Sequence, residues 1–308
     1  MSAAVMIGTE AFAGALARVL NGWSFDPMVI ASIAVVGAGY VAGRRRLRRP
    51  GRRAARIEIT RAWRTVCFAA GLATVVAALL SPLDARSAEL LSAHMVQHLL
   101  LVVVAAPLLV LGAPAVPLLL ALPTGTRRDL HALGAKPFVA TITRTFRRPV
   151  VAWALHVVTL WTWHVPNFYE AAVRTDALHA LEHASFLGTA LLFWLVVLGP
   201  NRHRRLGGGA EILYVFTAGL QSAILGALFT FAASPLYPTY VRLAGGASAA
   251  LRDQQIAGLV MWIPAGVVYL GAAAGLFVKW LGSVEEETRR RELRHDLPPS
   301  RVRVGVEP

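Results

Sequence analysis

Seven apolar runs constrain the fold more than any other feature of the 308-residue chain. They lie at Pro27–Gly43, Trp63–Leu80, about Leu90–Leu111, Val150–Val165, Ala177–Gly199, Ala210–Ala232 and Gln254–Leu281. A helix of roughly 20 apolar residues crosses the ~30 Å hydrocarbon core of a bilayer. Within that core every backbone N–H and C=O must be paired inside the segment, which favours helices. The expected fold class is therefore all-α: a polytopic membrane protein built as a seven-transmembrane-helix bundle. An apolar content of 56%, a charged content of 16% and a mean hydropathy of +0.55 agree with that class. The expected divisions are an N-terminal segment, 1–26, a seven-helix transmembrane domain, 27–282, and a charged tail, 283–308. No basic stretch or small-residue cleavage site precedes Pro27, so the N-terminal segment reads as retained rather than removed as a signal peptide.

A net charge of +14 and a pI near 11.3 would suit a nucleic-acid binder. The arginines, however, are blocked into alternate loops and not spread over one face. Arg44, Arg45, Arg46, Arg48 and Arg49 follow the first run, Arg144, Arg147 and Arg148 precede the fourth, and Arg289, Arg290 and Arg291 follow the seventh. Loops facing the cytoplasm carry such an excess. The pattern places the N-terminus outside, the C-terminus in the cytoplasm and the bilayer, not nucleic acid, as the partner. The single cysteine, Cys67, excludes a disulfide framework within the chain and any paired-cysteine metal motif.

Against this apolar background stand His94-Met-Val-Gln97-His98 and His179-Ala-Leu-Glu182-His183. Residues four apart share one helical face. With the expected topology both pairs fall in the first outer turns of helices running the same way, and His164 falls at the outer end of the run between them. His156 lies roughly 12 Å deeper along that helix and reads as a hydrogen-bonded core residue. A single membrane histidine is commonly interhelical glue. Two pairs and a fifth imidazole at one depth point instead to ligation, with His94, His98, His164, His179 and His183 as the metal-ligating set.

Imidazole suits copper, zinc, iron and nickel alike. Met95 and Met261 offer thioethers to Cu(I), beside the commoner role of methionine in packing. Gln97 and Glu182 occupy equivalent positions and are expected to support the ligands by accepting ring N–H groups. Asp253 and Gln254, at the start of the last run, either join the site or cap their helix. Trp161 and Trp163 read as interface anchors. Heme held between opposed histidines is an alternative to a bare ion. His179-x-x-Glu182-His183 also matches the H-x-x-E-H pattern of zinc hydrolases, in which the glutamate is the base. Five residues specify little, and the second pair has Gln97 where a base is needed, so no catalytic residue is assigned and the chain is read as other than an enzyme.

Several separated segments resemble the multi-spanning CtaG family of cytochrome c oxidase assembly factors. They are His94-Met-Val-Gln-His98 with Pro107, Gly112 and Pro114; Trp163-His164-Val-Pro166 with Tyr169; and His179-x-x-Glu182-His183 with Phe193-Trp194. Gln221 with Leu225-Gly226, Pro235-Leu-Tyr237, and Asp253-Gln-Gln255 with Gly258 and Met261-Trp262 follow in order. An unrelated single-span copper chaperone that shares the CtaG name has paired cysteines, which this chain lacks. The resemblance implies a seven-helix protein of the bacterial plasma membrane that helps to mature a heme–copper oxidase. It implies copper as the bound ion, oxidase subunits as partners and an extracytoplasmic copper donor. Its motif matches fall on His94, His98, His164, His179 and His183.

Overall fold

The computed structural model describes residues 22–47, 61–199 and 206–295, with side chains to 293. Most of the N-terminal segment, the arginines from 48 to 60 and the end of the tail lie outside the described residues.

Among the described residues the chain is helical, without strands. The helices are α1 (Pro27–Leu47), α2 (Ala62–Leu79), α3 (Pro82–Ser87), α4 (Leu91–Leu111), α5 (Ala115–Ala121), α6 (Thr124–Ala135) and α7 (Pro137–Phe146). They are followed by α8 (Pro149–His164), α9 (Pro166–Arg174), α10 (Asp176–Leu198), α11 (Gly208–Thr230), α12 (Pro238–Leu243) and α13 (Ala247–His295). Six of them, α1, α2, α4, α10, α11 and α13, are long and apolar enough to cross a membrane. The run expected as the fourth span forms α8, whose 16 residues fall short of that length. Prolines set its limits: Pro149 occupies the first turn, where a missing N–H costs nothing, and Pro166 opens the next helix.

The last run forms a longer helix than its apolar residues require. α13 has 49 residues, about 73 Å at 1.5 Å each, and passes without a break from the apolar stretch into the charged tail. The boundary at 282/283 is a change of composition, not of backbone.

α4 departs from regular winding directly below its histidines. Leu100–Ala105 form a wider, π-helical turn, and the Ala106 amide bonds back five residues to Leu101. The next bond in that register would require an N–H from residue 107, which is proline. The Val102 carbonyl instead accepts from the Trp194 indole of α10 at 2.9 Å, so a side chain supplies the donor the ring removed.

Two apolar layers follow. The middle of the bundle is an aromatic stack in which Phe193 lies on Tyr214 with centroids 4.7 Å apart, and Trp194 on Tyr269 at 5.8 Å. The second cluster, at the histidine end, gathers Leu91, Met95, Tyr169, Phe229, Tyr237 and Tyr240. Arg46 and Arg64 sit at the opposite end, where their guanidinium groups donate to the carbonyls of Leu120 and Leu111.

α11 and α13 approach most closely at two glycines. A Cβ on Gly226 would lie 2.8 Å from the Gly258 carbonyl oxygen, and one on Gly258 would lie 2.5 Å from that of Gly226. Gly258→Leu is expected to force the pair apart at a cost of about 1–3 kcal/mol, read as a lowered thermal midpoint of the detergent-solubilised protein. Gly188→Ala, where an added Cβ meets nothing within 4 Å, should not lower that midpoint.

Candidate metal centre

The histidines come together because three helices reach one end of the bundle at the same level. α4 and α10 begin there and α8 ends there. His94 and His98 lie one turn apart with ring centroids 4.3 Å apart, and His179 and His183 repeat that spacing on α10. Across the interface His94 faces His179 at 5.3 Å and His183 at 5.9 Å, while His98 faces His183 at 5.3 Å. The two pairs therefore face one another.

Glu182 stands inside this cluster and not behind it. Its side chain is 0% exposed, and Oε1 lies 3.8 Å from His94 Nε2 and 3.6 Å from His98 Nε2. Both carboxylate oxygens lack a hydrogen-bond partner, as do His94 Nε2, both nitrogens of His98, His179 Nε2 and His183 Nε2. Leaving a buried polar atom unpaired costs about 1–3 kcal/mol, and these atoms are concentrated at one spot. His94, His179 and His183 each offer a ligand atom within 4.8 Å of the others, and so do His94, His98 and Glu182. Imidazole nitrogens and one carboxylate form a donor set that fits a transition-metal ion.

His164 is adjacent but differently engaged. Its centroid is 6.3 Å from that of His98, its Nδ1 is 2.7 Å from the Leu160 carbonyl, and its Nε2 is 3.4 Å from Met95 Sδ. Met95, His98, His164 and Met261 line a cavity of about 40 Å³ beneath the cluster. His156 lies at the far side of that cavity and hydrogen-bonds the Tyr269 hydroxyl at 3.2 Å.

Three residues expected to support the site do other work. The Gln97 side chain turns away from the histidines and donates to the Ala78 carbonyl at 2.8 Å and to Asp84 Oδ1 at 2.7 Å. It shares a sequence position with Glu182 but not a helix face towards the partner, so the two are not equivalent. Asp253 caps α4, not its own helix: its carboxylate accepts from the Leu91 and Ser92 amides and from the Ser92 hydroxyl. This fixes the first turn of the helix that carries His94. Gln254 accepts from the Leu236 amide at 2.7 Å and holds the loop before α12. Trp161 and Trp163 also point into the bundle, donating to Gln221 Oε1 and Ser185 Oγ.

A lid of tyrosines escaped the sequence reading. Tyr169, Tyr237 and Tyr240 are all buried. The Tyr169 ring lies 5.3 Å from that of His94, its hydroxyl meets that of Tyr240 at 3.0 Å, and the Tyr237 hydroxyl donates to the His164 carbonyl at 2.9 Å. Tyr169 and Tyr237 fall in segments that carry the family resemblance, but nothing in their spacing shows that they meet over the histidines. Glu170 closes the lid: it accepts from the Thr239 amide and hydroxyl, and Arg174 donates to it. Burial pushes the Glu170 carboxyl pKa up, but the hydrogen bonds from Thr239 and Arg174 outweigh it and hold the pKa below the usual carboxylate value.

Fold and site thus define an all-helical protein with membrane-crossing helices and a buried histidine–carboxylate cluster at one end of its bundle. The chain belongs to the cytochrome c oxidase caa3 assembly factor family, Caa3_CtaG, whose family model matches residues 38–283. Relatives in Mycobacterium bovis and Mycobacterium tuberculosis are each 26% identical over 292 residues, and one in Mycobacterium leprae is 27% identical. All three are described as uncharacterized proteins; the alignments cover 91% of this chain and 42% of each relative. No solved structure matches the chain.

Two outcomes test this geometry. A carboxylate with a lowered folded pKa adds stability above its unfolded pKa and loses it as pH falls through the folded value, so the α9–α12 clasp should loosen on acidification. Hydrogen exchange at Thr239 and Tyr240 should then quicken, and Glu170→Gln should exchange fast already at neutral pH. Asp253→Ala should cost about 0.5–2 kcal/mol, the usual loss of an N-cap, seen in the thermal midpoint, whereas Asp253→Asn should recover part of it.

Proposed function

We propose that the chain spans the bacterial plasma membrane seven times, with its histidine end outside, and there takes up copper for a heme–copper oxidase under assembly. The observation that carries this reading is the buried set of unpaired ligand atoms on His94, His98, His179, His183 and Glu182. Family membership supports the oxidase as partner. α8 counts as the seventh span: its 16 residues cover about 24 Å, and thinning of the bilayer or the α9 turn makes up the remainder. The basic residues at the end opposite the histidines, Arg46 and Arg64 among them, support a cytoplasmic location for that end and for the C-terminus.

Copper is cargo in this scheme, accepted from an extracytoplasmic donor. The imidazoles and Glu182 displace its water, the tyrosine lid limits access, and exchange of ligands one at a time passes the ion to an oxidase subunit. No bond in a substrate is broken, so the role is carriage and not catalysis. Rings packed 4.3–5.9 Å apart beside a cavity of about 40 Å³ favour a bare ion over a macrocycle such as heme. Among divalent ions copper ranks above zinc for nitrogen ligands, and the oxidase needs copper.

Copper per chain in purified, copper-loaded protein should fall by half or more in His98→Ala and in His183→Ala, with helicity kept by circular dichroism. Wild-type protein that stays copper-free after loading would overturn the reading. A cysteine placed at Asn167 on a Cys67→Ser background should react with an impermeant maleimide in intact cells; labelling only after lysis would reverse the topology.

A further inference from the structure

His164 and Met95 meet in a way that hydrogen bonding does not explain. The His164 Nδ1 lies 2.7 Å from the Leu160 carbonyl, a contact that requires the proton on Nδ1. A neutral imidazole with its proton there presents a bare lone pair at Nε2. That lone pair faces Met95 Sδ, itself an acceptor, at 3.4 Å. Two acceptors thus face each other in contact, buried, with no proton to share: Met95 is 1% and His164 6% exposed. Two ligands of one tetrahedral ion, with a metal–nitrogen bond of about 2.05 Å and a metal–sulfur bond of about 2.3 Å, stand about 3.5 Å apart. The observed spacing matches. Met261 lines the same cavity, and so does His98, which links it to the cluster above.

We propose that Met95 Sδ and His164 Nε2, joined by Met261 and reached through His98, form a second metal site, selective for a soft monovalent ion such as Cu(I). The proposal rests on the reading that the cluster above takes copper, and it adds an inner station and an oxidation state. Thioether ligands prefer Cu(I), whereas the cluster offers only nitrogen and oxygen, a donor set that also takes Zn(II). Both nitrogens of His98 lack partners, and its ring lies 5.3 Å from that of His183 and 6.3 Å from that of His164. A neutral imidazole has one free lone pair, so His98 serves the cluster or the inner site in turn. The ion enters and leaves as Cu(I), so no electron changes hands.

The test uses the full chain in detergent, on a Cys67→Ser background that leaves methionine as the source of sulfur ligands. Under anaerobic competition with a Cu(I) chelator, this protein should bind two Cu(I), but one Zn(II). Met95→Leu and Met261→Leu, exchanges close in volume, should bind one Cu(I) and keep the one Zn(II), which also shows that they are folded. X-ray absorption of the Cu(I)-loaded parent should show a sulfur shell that Met95→Leu loses. A single Cu(I) surrounded only by nitrogen and oxygen overturns the inner site and leaves the cluster reading standing. A parent that binds neither ion overturns both.

Discussion

A polar side chain buried in an apolar bundle must be satisfied from within it, and the arrangement of this protein follows from where that requirement is met and where it is not. Over much of the bundle a buried polar group finds a near neighbour. His156 meets Tyr269, Trp161 meets Gln221, and the Trp194 indole answers the Val102 carbonyl that Pro107 leaves without a partner. At one end the pairing stops, and imidazole nitrogens and the Glu182 carboxylate face each other bare. Elsewhere among the described residues the unpartnered atoms are scattered singly, on Gln97, Arg127, Trp153 and His156, whereas seven gather here, which makes the concentration a property of the site.

The surroundings hold that end in place. Asp253 reaches from α13 to cap α4, Gln97 ties α4 to α2 and α3, and the π-helical turn lets α4 pass Pro107 without losing a carbonyl. Close packing of α11 on α13 at Gly226 and Gly258 sets where Met261 lies, one turn beyond Gly258. Above, Tyr169, Tyr237 and Tyr240 close over the histidines, fastened by Glu170. Residues that touch no ligand atom thus decide the positions of those that do.

Helical class and membrane character were legible because hydrocarbon leaves a chain few choices. Long apolar runs become helices, and six of seven have the length to cross. α8 shows the limit of that argument: Pro149 and Pro166 bound a helix of 16 residues, as short as the apolar run itself and below the length the other spans reach. The tail shows another, since α13 continues past the expected division at 282/283 and through its charged residues. Charge alone does not end a helix whose glutamates and arginines pair four residues apart, as Glu287 and Arg291 do.

The sequence by itself determined which residues are out of place in an apolar helix, because spacing of four puts His94 with His98 and His179 with His183 whatever their neighbours are. It could not say what each helix turns towards, since rotation about a helix axis depends on packing against other helices. Only the tertiary structure decided that the two pairs face each other, that Glu182 joins them while Gln97 turns away, and that Asp253 caps a helix distant in sequence. It also decided that His164 points its free nitrogen at Met95. Periodicity is local and survives in one dimension; complementarity between faces exists only once the helices are packed.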